Sequence, residues 1–279
     1  MTPRSWLYVP GHRADRIGKA IDSAADAVVI DLEDAVPVGA KDQALANALE
    51  ALGAVPPQRQ VWLRLNALGT QWLDRELTAL AAGPEPAGVR LPKSDDPGSV
   101  AAIAERLRCP VHATIESAAG LLAAPQIARC HPRVTGIALG EADLAADMRT
   151  EPEGLAWARG WIVTAARAAG LSSPVQSVWT AVDDPVGLAE TSRTGRAQGF
   201  FGRSVIHPDQ IDIVNTAYTP TAEEQDRARR IVDRAAASIA AGESAVLDEN
   251  GRFIDPAVVA GARVVLDRAQ ATAARGVKA

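Results

Sequence analysis

Short apolar runs rich in Val, Ile and Leu alternate along the chain with longer Ala/Leu/Arg stretches of helical period, and this alternation constrains the fold more than any other feature. A strand that is apolar throughout must be covered on both faces, which is what a helix between successive parallel strands does. The candidate strands are Trp6 to Val9, Ala27 to Leu32, Val61 to Asn66, Gly88 to Leu91, Val111 to Glu116, Val134 to Leu139, Pro174 to Trp179 and Phe200 to Ile206. Helical stretches fall between them near 13–24, 40–53, 71–82, 97–108, 118–130, 153–169 and 184–198, and another follows from about 208. Eight such units fit a closed (β/α)₈ TIM barrel, an α/β fold, better than an open doubly wound sheet. No GxGxxG or GxxxxGK[ST] follows any strand, so the usual nucleotide-binding reason for an open sheet is missing.

The pattern changes after Tyr218. Pro220 stops the last barrel helix, and Thr221 to Glu224 reads as a T-x-x-E capping box that opens a new one, expected to end near Gly242. Beyond it, Val246 to Ile254 holds an Asn250-Gly251 turn between β-prone flanks, and Asp255-Pro256 reads as N-cap and N1 of a final helix. The expected organisation is a catalytic barrel over residues 1–218 and, over 219–279, a small helical appendage containing a hairpin.

Composition narrows the partners. Lys+Arg 29 against Asp+Glu 34 leaves a net charge of −5, with no basic field to hold nucleic acid or an acidic membrane. No apolar run is long enough to span a bilayer, and the opening MTPRSWLYVPGHR breaks at Pro10 and Gly11, so a soluble cytoplasmic protein is expected. Cys109 and Cys130 form no CxxC and have no His at metal spacing, which supports neither a zinc site nor a disulfide framework.

In a (β/α)₈ barrel the catalytic groups sit at the C-terminal strand ends. Here those ends carry Asp31, Glu33 and Asp34; Arg64 and Asn66; Lys93; Glu116; and, past Gly140, Asp143. Glu116 and Asp143, from neighbouring strands with an arginine across the mouth, describe an open Mg²⁺ site for a chelating substrate. Plainer readings stand beside this one. A carboxylate after a strand is often a helix N-cap, a single arginine is often a rim salt bridge, and His112 reads as a satisfied core histidine. Composition and spacing stop at a metal-assisted barrel enzyme.

The segments RSWLYVPGHRADRIGKA, DAVVIDLEDAVPVGAKDQA, VWLRLNALGT, VRLPKSDD, ATIESAAGLL, GIALGEADLAADM, GFFGRSVIHPDQIDIVNTAYTP and GRFIDPAVV resemble, in order, the signature segments of the citrate lyase beta-subunit family. This family lies within the HpcH/HpaI aldolase and citrate lyase superfamily, with its citryl-, malyl- and citramalyl-CoA lyases. The resemblance implies Mg²⁺, or Mn²⁺, on Glu116 and Asp143, and contact of Arg64 with a 2-oxo-acid. It further implies that Arg13 and Lys19 lie near the phosphates of a CoA thioester substrate, and that Asp255 acts in a neighbouring subunit's site within a homotrimer or a multiple of one. Three departures bear on the substrate's distal group and on second-layer contacts: Ala142 precedes Asp143 where many relatives have a carboxylate, Gln176 stands where many carry Asp, and the loop from Met148 to Glu153 is short.

The implied activity is Mg²⁺-dependent cleavage or formation of a 3-hydroxyacyl-CoA, giving an acyl-CoA such as acetyl-CoA and a 2-oxo-acid, with thioester hydrolysis as a companion. Two other enzyme readings remain: the beta subunit of a multi-subunit citrate lyase, working with an alpha subunit and an acyl carrier, and a metal-free Schiff-base aldolase using Lys93. For Asp255 the sequence alone favours an ordinary helix cap.

Overall fold

The computed structural model describes residues 2–241, 247–249 and 251–276. Thr2–Tyr218 forms one compact unit and the chain from Thr219 a second. In the first, seven strands form one sheet: β1 (Ser5–Pro10), β2 (Ala27–Asp31), β3 (Gln60–Arg64), β4 (Gly88–Leu91), β5 (Val111–Ile115), β6 (Val134–Leu139) and β7 (Arg203–Val205). Their order is β6-β5-β4-β3-β2-β1-β7, and every pairing is parallel. All strand C-termini therefore lie at one end of the sheet.

The seventh of the eight expected strands, Pro174 to Trp179, is reduced to a single parallel bridge between Gln176 and Arg203. The physical reason lies in its two edges. Toward β7 the backbone pairs, with Gln176 N–H donating to Gly202 O at 2.9 Å and Ser204 N–H to Gln176 O at 3.0 Å. Toward β6 the carbonyl of Leu139 is instead taken by the Ser177 hydroxyl at 2.6 Å, and Pro174 has no N–H to give. The unit is a TIM-barrel-like α/β fold with seven regular strands, not eight. Gly202 permits the close packing of this edge: at φ +86°, an added Cβ would sit 2.4 Å from Pro3 O.

The connecting helices are α1 (Ala14–Ile21), α2 (Lys41–Ala54), α3 (Gln71–Ala82), α4 (Pro97–Arg106), α5 (Ala118–Ile127), α6 (Glu141–Met148), α7 (Ala156–Ala168), α8 (Pro185–Ala197) and α9 (Ile211–Tyr218). Several start where local chemistry tells them to: the Asp96 carboxylate accepts from Ser99 N–H at 2.7 Å, and Asp184 from Gly187 N–H at 2.9 Å, each with proline at the first helical position. Helix α6 was not expected from the apolar pattern, because its eight residues bury only Leu144.

Two apolar layers hold the unit. The larger joins the outward strand faces to the helices; the smaller, Trp6, Ala27, Val29, Trp62 and Val175, fills the concave side of the sheet. Trp6 and Trp62 pack edge to face at 5.0 Å, and His112 lies 4.5 Å from the Trp62 ring. Burial and the positive charge of Arg90 push the His112 imidazole down to about 3, so this histidine is neutral packing.

The second unit contains α10 (Ala222–Ala241) and α11 (Pro256–Gly276), which pack against each other. The capping box forms: Thr221 Oγ accepts from Glu224 N–H at 3.2 Å while Glu224 accepts from Thr221 N–H at 2.8 Å. Between the helices, Leu247 and Phe253 make one antiparallel bridge. Asn250 of the expected turn, like Gly242 and Val246, lies outside the described residues.

Candidate active site

The parallel ladder delivers the polar strand ends to one rim. Arg64 is the last residue of β3, Glu116 directly follows β5, and Asp143 is the third residue of α6, which follows β6 through Gly140. Glu116 and Asp143 line one cavity of about 200 Å³ together with Lys93, Asp95, Ser117 and Asp147. Gly140 makes room for the first: a Cβ there would lie 2.5 Å from Glu116 Cγ.

Glu116 is buried and, among the described residues, has no side-chain cation as hydrogen-bond partner; its carboxylate accepts from the backbone N–H of Lys93 at 3.2 Å. Burial, then the charges of Glu33 and Asp143, push its carboxyl up to about 7. Such a pair of carboxylates favours a bound cation. Among the described residues no three metal-ligating side chains cluster, so any cation here keeps open positions.

Beside this pair lies an ion-paired group. Arg64 grips Asp31 through its Nε and Nη2, at 2.7 and 2.6 Å, and its Nη1 lies 3.2 Å from both Glu33 and Asp34. These anions outweigh the cost of burial and raise the guanidinium's affinity for its proton. Lys93, which adopts φ +49°, places Nζ 2.7 Å from Glu33. Burial would lower its pKa, but the Glu33 hydrogen bond and the nearby carboxylates hold it above the ordinary value. A lysine kept charged in this way is unsuited to forming an imine.

A buried network fixes this corner from behind. Lys41 Nζ donates to the carbonyls of Leu32 and Glu33 and to Asn66 Oδ1, at 2.8, 2.7 and 2.7 Å. Asn66 in turn donates its backbone N–H to Glu76 at 2.9 Å, and burial pushes the Glu76 carboxyl up to about 7. Lys41 is one of only four lysines in the chain and lies within a family segment, whereas Glu76 carries no signal in the sequence.

The other expected site residues are placed differently. Arg13 flanks α1 at the rim end and pairs with Asp15 at 2.8 Å, while Lys19 is exposed in the last turn, about 9 Å further along the helix axis. Neither lines the cavity. Asp255 caps α11, its Oδ1 accepting from Val258 N–H at 2.7 Å. Glu141 does not stand in for the carboxylate missing at Ala142, because it pairs with Arg159 of α7 at 3.1 Å. Gln176 faces the helices, accepting from the Tyr218 hydroxyl at 2.6 Å and donating to Thr191 O at 3.0 Å. The short loop after Met148 turns through Arg149 at φ +54° into a 3₁₀ turn over Pro152–Leu155. Asp95, Ser117 and Asp147 escaped sequence reasoning as site residues because they do helical work: Ser117 caps α5, its hydroxyl bonding Asp95 at 2.7 Å, and Asp147 accepts from Ala118 N–H at 2.7 Å.

Comparison with known proteins places the chain in a family. The family model for HpcH/HpaI aldolase/citrate lyase matches residues 4–208, and that for a C–C bond lyase of the TIM-barrel fold matches residues 156–271. The chain belongs to the HpcH/HpaI aldolase/citrate lyase family. Among this enzyme family's members, the citrate lyase subunit beta of Escherichia coli K12 is 36% identical, with 98% of this chain and 95% of that protein covered. A (3S)-malyl-CoA thioesterase of Cereibacter sphaeroides is 35% identical over 98% of this chain and 96% of its own length. The crystal structure of the Mycobacterium tuberculosis protein CitE in complex with magnesium, acetoacetate and coenzyme A superposes with a TM-score of 0.81. That protein is 33% identical, and the match covers 96% of this chain and 98% of that one. No helix among the described residues is long and apolar enough to cross a membrane.

Proposed function

We propose that this protein is a Mg²⁺-dependent carbon–carbon lyase that splits, or forms, a 3-hydroxyacyl-CoA, yielding an acyl-CoA and a 2-oxo-acid. The observation that carries the reading is the Glu116–Asp143 pair, two carboxylates that share one cavity at the strand ends with Lys93 and, among the described residues, hydrogen-bond to no side-chain cation. Support comes from the family and from the magnesium, acetoacetate and coenzyme A held by CitE. Glu116 and Asp143 would hold the divalent cation, which supplies Lewis-acid stabilisation of oxygen on which charge develops during cleavage.

The chain's own residues do the rest. Breaking the bond between the thioester α-carbon and the hydroxyl-bearing carbon needs a base for the hydroxyl proton and an acid for the enolate carbon. Arg64, fixed by Asp31, presents positive charge to the oxo-acid without having to reorganise. Arg13 and Lys19 are assigned to the CoA phosphates, Arg13 with the stronger case because it sits at the rim end of α1. No residue on the cavity is free to protonate carbon: Lys93 is paired with Glu33, and Asp147 and Asp95 are held by helix-start groups. Asp255 of a neighbouring subunit, in a homo-oligomer built on trimers, is assigned that role. Asn caps a helix about as well as Asp, so Asp255→Asn should lose turnover at unchanged melting temperature. Mixing it with Glu116→Ala subunits should restore some activity.

Citryl-, malyl- and citramalyl-CoA, each assayed with Mg²⁺ and with EDTA, test the reading. Release of oxo-acid with Mg²⁺ alone is expected, and release that EDTA leaves untouched would overturn it. Hydrolysis is a second reading, favoured by the malyl-CoA thioesterase relative, and it would show as free thiol in place of acyl-CoA. An absolute need for an acyl carrier in place of CoA would instead put the chain with the subunit-type relatives.

A further inference from the structure

One buried cation in the barrel is unaccounted for by the rim. Arg90 of β4 is 3% exposed, and its Nη1 donates to the Tyr8 hydroxyl at 2.8 Å and to Ser204 Oγ at 3.1 Å. Its guanidinium stacks over Trp6, 4.5 Å from the ring centroid. Its Nε and Nη2, both buried, have no hydrogen-bond partner among the described residues.

Those two atoms form one edge of the planar fork, and three other arginines of this chain turn the same edge on a carboxylate. Arg64 turns Nε and Nη2 on the two oxygens of Asp31, Arg4 does so on Asp26 at 2.9 Å each, and Arg13 on Asp15 at 2.9 and 2.8 Å. In all three the edge holds a carboxylate side-on, the geometry that guanidinium matches best. Stacking on Trp6 compensates part of the charge of Arg90 but accepts none of its in-plane N–H groups. A buried donor edge left unmatched is costly; Arg59 leaves only its Nε so, with both terminal nitrogens on backbone carbonyls, whereas Arg90 leaves the whole Nε/Nη2 edge.

The place of Arg90 makes the missing partner specific. In the sheet register Arg90 lies beside Arg64 on one side and His112 on the other. The half-buried Tyr8 ring is shared: Arg64 Cζ lies 5.5 Å and Arg90 Cζ 5.6 Å from its centroid. Arg90 is thus the lateral neighbour of the rim arginine, with its guanidinium turned to Trp6, Tyr8 and Ser204.

We propose that Arg90, steadied by Tyr8, Ser204 and Trp6, receives the second carboxylate of a dicarboxylic 2-oxo-acid, and so selects thioesters that release a diacid over those that release a monoacid. The proposal rests on the oxo-acid reading above and names the substrate class within it. The α-oxo-carboxylate end is held at the rim, and the distal carboxylate reaches past Tyr8 to the Nε/Nη2 edge. Chain length and the second charge are read together, because a monoacid such as pyruvate has nothing to place on that edge.

Isothermal titration of the full-length protein in Mg²⁺ with oxaloacetate and with pyruvate is the test. The wild-type protein should bind oxaloacetate at least tenfold more tightly than pyruvate. Arg90→Met should bring that ratio close to one while leaving the pyruvate Kd within twofold. Arg90→Lys, which keeps the charge but loses the fork, should fall between and also serves if the Met variant does not fold. The same order is expected for kcat/KM on citryl-CoA relative to a thioester that releases pyruvate. A wild-type ratio near one, a ratio unchanged in the variants, or equal weakening of both ligands would overturn the proposal. Failure of the wild-type protein to bind either acid in Mg²⁺ would instead bring down the oxo-acid reading itself.

Discussion

Two acidic groups stand side by side at this rim, and they differ in what accompanies them. Asp31, Glu33 and Asp34 come with Arg64 and Lys93 within 2.6 to 3.2 Å, whereas Glu116 and Asp143 have no side-chain cation in hydrogen-bond contact among the described residues. In the first group every carboxylate is ion-paired, which holds a guanidinium and an ammonium in fixed places. The second is an unbalanced pair around a cavity, and burial makes the imbalance costly, as the elevated Glu116 carboxyl shows. Equal chemistry in the residue types thus gives opposite functions, decided by which strand ends bring a cation with them.

The largest effects should come from the unbalanced pair. Glu116→Ala and Asp143→Ala are expected to lower kcat by roughly 10²–10³-fold or more with the fold intact, the scale seen when a main electrostatic contact to the reacting oxygen is removed. Near-normal turnover in either, with Mg²⁺ in excess, would erase the distinction between the two groups. The ion-paired group should instead answer through stability. Arg64→Met leaves Asp31, 1% exposed, with its main partner gone, and an unfolding free-energy loss of roughly 3–5 kcal/mol is expected by denaturant titration. Activity falls as well, so the diagnostic result is the stability loss, which Glu116→Ala should not share.

The smallest effect is in the pH dependence of the metal-free protein. The Glu116 carboxyl sits at about 7 in the folded chain, above its ordinary value of roughly 4.3, so its favourable contribution is complete below that ordinary value and is lost as pH rises through about 7. Glu76 acts in the same sense. The melting temperature should therefore decline as pH rises from about 5 to about 8, and Glu116→Gln should flatten part of that decline. Saturating Mg²⁺ should do the same at the upper end, because it binds the ionised form. A decline untouched by Glu116→Gln would assign the slope to Glu76 alone.

Much of this arrangement was legible in the sequence, for reasons that can be named. The strand ends announced Arg64, Glu116 and Asp143, because a polar residue closing an apolar run in a parallel sheet has only one rim to occupy. The capping box at Thr221–Glu224 and the Asp255 cap follow from local backbone chemistry and form as expected. What escaped depended on distant partners. The segment from Pro174 has the composition of a strand, yet a side-chain hydroxyl took the carbonyl that a ladder needed. Gln176 stood out only as a departure from the family pattern, and its partners, Tyr218 and Thr191, are distant in sequence. Lys41, Glu76 and Arg90 are charged residues on buried faces, and only three-dimensional neighbours reveal that they are not solvated.

The central claim is that the pair without a cation, not the ion-paired cluster beside it, holds the divalent metal. Mn²⁺ binding followed by electron paramagnetic resonance in the presence of oxaloacetate tests it directly, comparing Glu116→Gln and Asp143→Asn with Asp34→Asn. The account predicts at least a tenfold loss of affinity in the first two and none in the third, whose carboxylate is exposed and already faces Arg64. Retained binding in Glu116→Gln and Asp143→Asn, with loss in Asp34→Asn, would contradict it.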